Sequence, residues 1–130
     1  GTNWARIEAA RRRGDADMFA PFFDWGVPTV DCLRAVCHAC PDRLVIASGG
    51  VRHGLDAAKA IRLGADMVAA AGPMLAHLVA DDAALDLSKL QDFVYGWKQQ
   101  MALTLFLTGA SNLAAFRQAE ICCDGVVIAR

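Results

Sequence analysis

Apolar positions repeat with helical periodicity along much of the chain, and two short stretches break that rhythm with a continuous apolar run. The runs cover residues 43–47 and 66–71, and each ends in a glycine-containing turn. Short runs of this kind are typical of strands buried on both faces, as in a parallel sheet. A helical pattern at residues 55–63 lies between them. The order of strand, turn, helix, strand and turn therefore predicts one βαβ unit.

Helices are expected on both sides of the βαβ unit, because amphipathic patterns with capping residues flank it. Thr29 is the expected N-cap of the helix before the first strand, and Ser88 that of the longest helix. The expected elements outside the unit are a helix at 4–13 closed by Gly14, an aromatic loop at 15–28, helices at 29–40, 88–107 and 111–119, and a tail at 119–130 of uncertain structure.

Composition and charge narrow the class of protein. The 130 residues are 55% hydrophobic and carry a formal net charge of −1 at pH 7, so no global positive field attracts nucleic acid. The most apolar stretch, residues 67–80, is shorter than the roughly 18–20 residues of a membrane span and contains Pro73. No secretion signal is visible, and the five cysteines lack the spacing of a disulfide framework. We therefore expect a soluble, cytoplasmic protein without nucleic-acid or membrane partners.

The two glycine turns carry the most informative chemistry. Residues 48–56, SGGVRHGLD, place consecutive glycines at the end of a strand and lead directly into a helix. Backbone N–H groups there, together with the free donors of the helix N-terminus, can approach an anion, and Arg52 adds a charged contact. The second turn, Ala71-Gly72-Pro73, follows the next strand at the matching end. A phosphate site and an empty tight turn both remain open, since no GxGxxG or GK[ST] sequence is present.

Other reactive side chains fit structural roles better than chemical ones. Cys37 and Cys40 form a CxxC pair at the end of a helix rather than its start, and no second ligand pair has zinc-binding spacing. We therefore expect ordinary cysteines and no metal site. His53 and Asp56 are an acid–base candidate pair, but three positions apart at a helix start they are expected to cap free N–H groups. No catalytic residue is assigned.

Five ordered motifs resemble a known family. They are GTNWARIEAA, DWGVPT, IASGGVRHGLDAAKAIRLGAD, the AGP turn and the late LFLTGA. Together they resemble the C-terminal part of type 2 isopentenyl-diphosphate isomerase, the FMN-dependent form, over residues 1–116. The resemblance implies an α/β fold, the C-terminal portion of a TIM (β/α)8 barrel, with about strands 7 and 8 and their surrounding helices. Residues 1–130 are then a single partial domain, with an uncertain tail at 119–130.

The same resemblance implies a function for the complete protein. In this family isopentenyl diphosphate is converted to dimethylallyl diphosphate on reduced FMN, with NADPH and Mg²⁺, as a step of isoprenoid biosynthesis. A homo-oligomer is also expected. The catalytic and Mg²⁺-binding residues of the family lie before Gly1. Trp4 is assigned beside the substrate entrance, with a packed helix anchor as the other interpretation. The positions that match FMN contacts are Thr2, Gly49, Gly50, Val51, Arg52, Ala71 and Gly72.

Two other functions stay open. One is an FMN-dependent barrel enzyme that oxidises 2-hydroxy acids, although such enzymes usually need a His and an Arg after the sixth strand and GTNWARIE offers no such His. The other is a non-catalytic segment that binds a phosphate ligand without turnover. On the barrel interpretation we expect Val45, Ile46 and Val68 to face strands and helices outside these 130 residues.

Overall fold

The computed structural model describes residues 3–12, 16–79, 85–123 and 126–129. No helix in these ranges is long and apolar enough to cross a membrane. The elements are α1 (Trp4–Arg11), α2 (Ala16–Phe19), a 3₁₀ turn (Ala20–Phe22), α3 (Thr29–Ala39), β1 (Ile46–Ser48), α4 (Gly54–Arg62), β2 (Met67–Ala69), α5 (Gly72–Leu78), α6 (Leu87–Leu107), α7 (Leu113–Phe116), β3 (Ile121–Cys123) and β4 (Val126–Ala129).

The predicted βαβ unit is confirmed. Strand β1 pairs in parallel with β2, and α4 connects them. The register sets Ile46 beside Met67 and Ser48 beside Ala69. Both strands are three residues long, shorter than the apolar runs that predict them. The flanking apolar residues satisfy part of their hydrogen bonding in other ways: the N–H of Val45, for example, donates to the Asp66 carboxylate at 2.9 Å.

The core lies on one face of the strand pair, where α3 and α4 cover it. Its buried cluster contains four apolar side chains, three of them alanines, and such small groups let helices approach a sheet closely. The cluster consists of Leu33, Ala47, Ala60 and Ala65, with Cys37, Val45, Leu63 and Val68 packed against it.

The opposite face of the strand pair is open. Side chains alternate between the faces of a strand, so Ile46 and Met67 point away from the core, and each is 54% exposed. Ile46 thus faces outward as expected, whereas the same expectation for Val45 and Val68 is wrong, because both pack against the core cluster. Within the described residues each of the two strands has one partner, and no larger sheet forms.

The predicted N-cap of α3 is wrong. Thr29 is the first residue of the helix, and Pro28 precedes it as the capping position. The Thr29 hydroxyl instead donates a hydrogen bond of 2.7 Å to the carbonyl of Gly49, in the turn after β1. A side chain expected to serve its own helix therefore holds a distant loop.

The predicted N-cap of α6 is also wrong, because Asp86 takes the role assigned to Ser88. One Asp86 carboxylate oxygen accepts the N–H groups of Ser88 and Lys89, each at 3.1 Å, and the Ser88 hydroxyl at 2.6 Å. The hydroxyl bond, with these N–H donors and the Lys89 charge, lowers the pKa of Asp86. Aspartate is the stronger cap because its charge also favours the positive end of the helix dipole.

The two ends of the chain are more ordered than their patterns predict. The expected loop at 15–28 contains α2 and the 3₁₀ turn, and Asn3 ties them to α1 by donating to the Phe23 carbonyl at 2.6 Å. Helix α1 ends at Arg11, and Gly14 lies outside the described residues. In the tail, β3 and β4 pair as an antiparallel hairpin, so Val127 has the strand partner that its sequence context does not reveal.

Helices α4 and α6 cross at very close range at Gly54. A Cβ at this position would overlap the backbone carbonyl of Trp97 and lie 2.8 Å from the Cβ of Gln100. The Gly54 N–H donates to the Gln100 side-chain oxygen at 2.6 Å, so the contact is both steric and polar. Gly96 lies within α6 as well, but a Cβ there would meet no atom within 4 Å.

This contrast predicts opposite effects of two glycine-to-alanine substitutions. Gly54→Ala should lower the free energy of unfolding by about 1–3 kcal/mol, because the helices must separate to admit the methyl group. Gly96→Ala should raise it by about 0.5–1 kcal/mol through a smaller loss of backbone entropy. Chemical denaturation of the complete polypeptide that contains these residues measures both. Equal stability of the two variants would contradict the close crossing at Gly54.

Candidate functional site

Two turns meet at one edge of the parallel strand pair. Because β1 and β2 run in the same direction with Ser48 beside Ala69, the residues that follow them leave the sheet at the same edge. Residues 49–53 form the first turn and residues 70–72 the second. The structure therefore brings together six of the seven positions assigned to FMN, whereas Thr2 lies outside the described residues.

The first turn depends on two glycines in the left-handed region. Gly49 has φ 90° and Gly50 has φ 72°, conformations that residues with a Cβ rarely adopt. The bond from Thr29 fixes the Gly49 carbonyl, and the Val51 side chain, only 6% exposed, anchors the end of the turn in the protein. The turn is thus held at both ends, and Gly50 between them is exposed.

The N-terminus of α4 is not the free donor set that the sequence predicts. The Gly54 N–H donates to Gln100, and the N–H groups of Asp56 and Ala57 donate to the ring Nδ1 and the carbonyl of His53, each at 3.2 Å. The capping role expected for His53 is confirmed. Two of the N–H groups that a helix start leaves free, those of Gly54 and Asp56, are therefore used within the protein.

Further donors lie in the turn itself. The N–H groups of Gly50 and Val51 make no hydrogen bond to any part of the chain that the structure describes. The Arg52 side chain is 72% exposed and stands next to them in the sequence. Gly50 is exposed and Val51 is buried, so the surface of this short stretch consists of the Gly50 backbone and the Arg52 guanidinium, a combination that suits an anion.

Asp56 holds Arg52 by two bonds to one oxygen. Its Oδ2 accepts from the Arg52 backbone N–H at 3.2 Å and from the Arg52 Nε at 3.0 Å, and the His53 Nε2 lies 3.6 Å away. Burial raises the pKa of Asp56, but the Arg52 hydrogen bonds and the His53 and Arg52 charges outweigh it, and the pKa is lowered. The ion pair thus stabilises the turn above the ordinary aspartate pKa of about 4, and is lost as pH falls through the lowered value.

The second turn is built from small, exposed residues. Ala71 precedes α5, Gly72 begins it, and a Cβ on Gly72 would meet no atom within 4 Å. Aromatic contacts hold helix α5 against α6. The His77 ring of α5 stacks on the Phe93 ring of α6 with a centroid distance of 3.8 Å, and Phe93 contacts Trp97 edge-on at 5.7 Å. The surface beside the first turn is therefore left open.

Trp4 belongs to helix α1, which packs against other elements than the two turns. Helix α1 packs against α2 and the 3₁₀ turn, and the Trp4 side chain is 65% exposed. It is not a packed helix anchor among the described residues, and its assignment to a substrate entrance stays a prediction.

Cys37 is half-buried beside Gly64 and Cys40 is exposed. The ranges that the structure describes contain no group of three or more His, Cys, Asp or Glu residues able to hold a metal ion.

Three side chains hold the site through contacts that the sequence patterns do not predict. Thr29 and Gln100 hold the turn and the helix from 20 and 46 residues away, and no local spacing reveals such partners. Asp56 is recognised as a cap, but its bonds to Arg52 are not foreseen. Arg52 lies in the turn before α4, so the helical spacing rule gives no signal for this pair.

Comparison with known proteins identifies the family. Residues 22–123 match the family described as FMN-dependent dehydrogenase. The chain is 45% identical over 124 residues to the isopentenyl-diphosphate delta-isomerase of Xanthobacter autotrophicus and 44% identical over 125 residues to that of Stutzerimonas stutzeri, covering 93% of this chain and 34% of each relative. The isopentenyl-diphosphate delta-isomerase of Mycolicibacterium gilvum is 41% identical over 118 residues, 91% of this chain and 33% of the relative.

The chain spans about one third of the length of these curated relatives. The family match nevertheless includes both strands, both turns and the helices that hold them. On this match, which extends over most of its length, the chain belongs to the FMN-dependent dehydrogenase family.

Proposed function

We propose that this chain holds the phosphate group of FMN in a polypeptide that converts isopentenyl diphosphate to dimethylallyl diphosphate. The observation that carries the proposal is the turn at 49–52, where two N–H groups without a partner among the described residues and an exposed guanidinium lie at the same end of the sheet as the Ala71-Gly72 turn. The family's description names FMN, and a relative that is 45% identical over 124 residues is named isopentenyl-diphosphate delta-isomerase.

The residues at this edge fit a phosphate group. A phosphate monoester carries about −1.5 to −2 charges near neutral pH and accepts several hydrogen bonds. The N–H groups of Gly50 and Val51 supply uncharged donors, and Arg52 supplies positive charge. Because neither Gly50 nor Gly72 carries a Cβ, the ligand can approach the backbone of both turns. Thr2 completes the proposed contacts.

In this proposal the chain binds and orients the cofactor rather than performing the chemistry. When bound and reduced, FMN supplies the ring system beside which the allylic proton shift of the substrate takes place. The two strands correspond to strands of about the seventh and eighth positions in a TIM barrel. We propose NADPH as the reductant and Mg²⁺ as the counter-ion of the diphosphate, both held by residues outside this chain, with Trp4 beside the substrate entrance.

The wider setting is proposed on the same basis. The complete polypeptide would be a cytoplasmic homo-oligomer of isoprenoid biosynthesis, acting on a small diphosphate. Oxidation of 2-hydroxy acids is the second candidate function, because the family's description names a dehydrogenase. A binding segment without turnover is the third, and it shares the phosphate contacts with the other two.

The phosphate contact is tested by comparing FMN with riboflavin, which lacks the phosphate. In the complete polypeptide, Arg52→Ala should weaken FMN binding by about ten- to a hundredfold, the value of a hydrogen bond to a charged group, and leave riboflavin binding unchanged. Quenching of flavin fluorescence measures both dissociation constants. Arg34→Ala, at an exposed position of α3, is the matched control and should change neither.

Failure of the unsubstituted complete polypeptide to bind FMN would exclude the flavin function. Equal weakening of FMN and riboflavin by Arg52→Ala would instead mean that Arg52 supports the turn without contacting the phosphate.

The reaction is tested with the complete polypeptide, FMN, NADPH, Mg²⁺ and isopentenyl diphosphate. Formation of dimethylallyl diphosphate, followed by mass spectrometry, is the expected result. Oxidation of a 2-hydroxy acid in its place would support the dehydrogenase function. FMN binding without either reaction would support the non-catalytic interpretation.

A further inference from the structure

We propose that Asp56 is a positioning residue, which holds Arg52 so that the free end of its guanidinium faces a phosphate bound at the Gly49-Gly50 turn. The inference rests on the proposed FMN function and assigns a role to a side chain that does not itself touch the ligand.

The attachment of Arg52 to Asp56 has two points. The backbone N–H and the side-chain Nε of Arg52 both donate to Asp56 Oδ2, at 3.2 and 3.0 Å. The first bond fixes the backbone of the turn, and the second fixes the direction in which the side chain leaves it. Nε is the inner nitrogen of the guanidinium, so its use leaves the two terminal nitrogens for a ligand.

Asp56 is itself held in place. It lies in the first turn of α4, and its side chain is only 17% exposed, whereas that of Arg52 is 72% exposed. Its N–H donates to His53 Nδ1. An exposed ion pair is usually weak because both long side chains must be ordered. In this pair the Asp56 side chain is short, partly buried and already fixed. Most of the conformational entropy lost on forming the ion pair is therefore that of the Arg52 side chain.

The negative charge of Asp56 works against an anionic ligand, and the structure limits this effect. The carboxylate accepts two hydrogen bonds from Arg52, and His53 Nε2 lies 3.6 Å from the same oxygen. These contacts offset its charge locally. We therefore expect the gain from orienting Arg52 to exceed the repulsion between Asp56 and the phosphate.

The test uses Asp56→Ala and Asp56→Asn in the complete polypeptide, with FMN and riboflavin as probes. Asp56→Ala should weaken FMN binding by about tenfold, because the charge-assisted bonds that orient Arg52 are lost. Asp56→Asn should have a smaller effect, since its amide oxygen still accepts a bond. Riboflavin binding should stay unchanged in both. In an Arg52→Ala background, Asp56→Ala should have no further effect on FMN binding.

Asp86→Ala is the matched control, because Asp86 is a second aspartate at a helix start whose pKa is lowered by hydrogen bonds. It should lower thermal stability without changing the ratio of FMN to riboflavin affinity. If Asp56→Ala weakens both flavins equally, or tightens FMN binding, the positioning role is overturned. If the unsubstituted protein binds no flavin, the proposed function fails together with this inference. Flavin binding with an unchanged ratio overturns the positioning role alone.

Discussion

The parallel register of β1 and β2 is the constraint on which the candidate site depends. It sets Ser48 beside Ala69, and both turns must then leave the sheet at one edge. A shift of one residue would turn Ala47 from the core cluster to the open face. The same small residue allows α3 and α4 to pack closely on the sheet. Register, core and site geometry are therefore set by one pairing.

The chain uses two N–H groups at the start of α4 for its own stability, whereas those of Gly50 and Val51 have no partner among the described residues. Gln100 and His53 satisfy N–H groups that would otherwise favour an anion at the helix N-terminus. This arrangement fixes α4 against α6 and concentrates the remaining positive character on the turn and Arg52. Under the proposed function, binding of the phosphate would depend on the backbone conformation of the turn and on the direction of the Arg52 side chain, more than on the helix dipole.

Local signals predict the fold well where a single segment determines it. The βαβ order follows from two apolar runs and their glycines, and the capping role of His53 follows from its position. Competing local partners cause errors: Asp86 and Ser88 are two residues apart, and either type can cap a helix. Long-range partners leave no local signal at all, as with Thr29 and Gln100. The family motifs include Thr29 and Asp56, but they do not reveal that these side chains bond to the turn.

On the open face of the strand pair, the side chains become smaller toward the turns. Ile46 and Met67 are large and lie at the start of each strand, whereas Ser48 and Ala69 are small and lie at the end. In a barrel the large side chains would be covered by neighbouring strands, since a face of this kind exposed to water is unfavourable. The small ones leave space directly beside Gly49 and Ala71. If the phosphate group of FMN binds at the turns, the open face beside Ser48 and Ala69 therefore has room for the remainder of the cofactor.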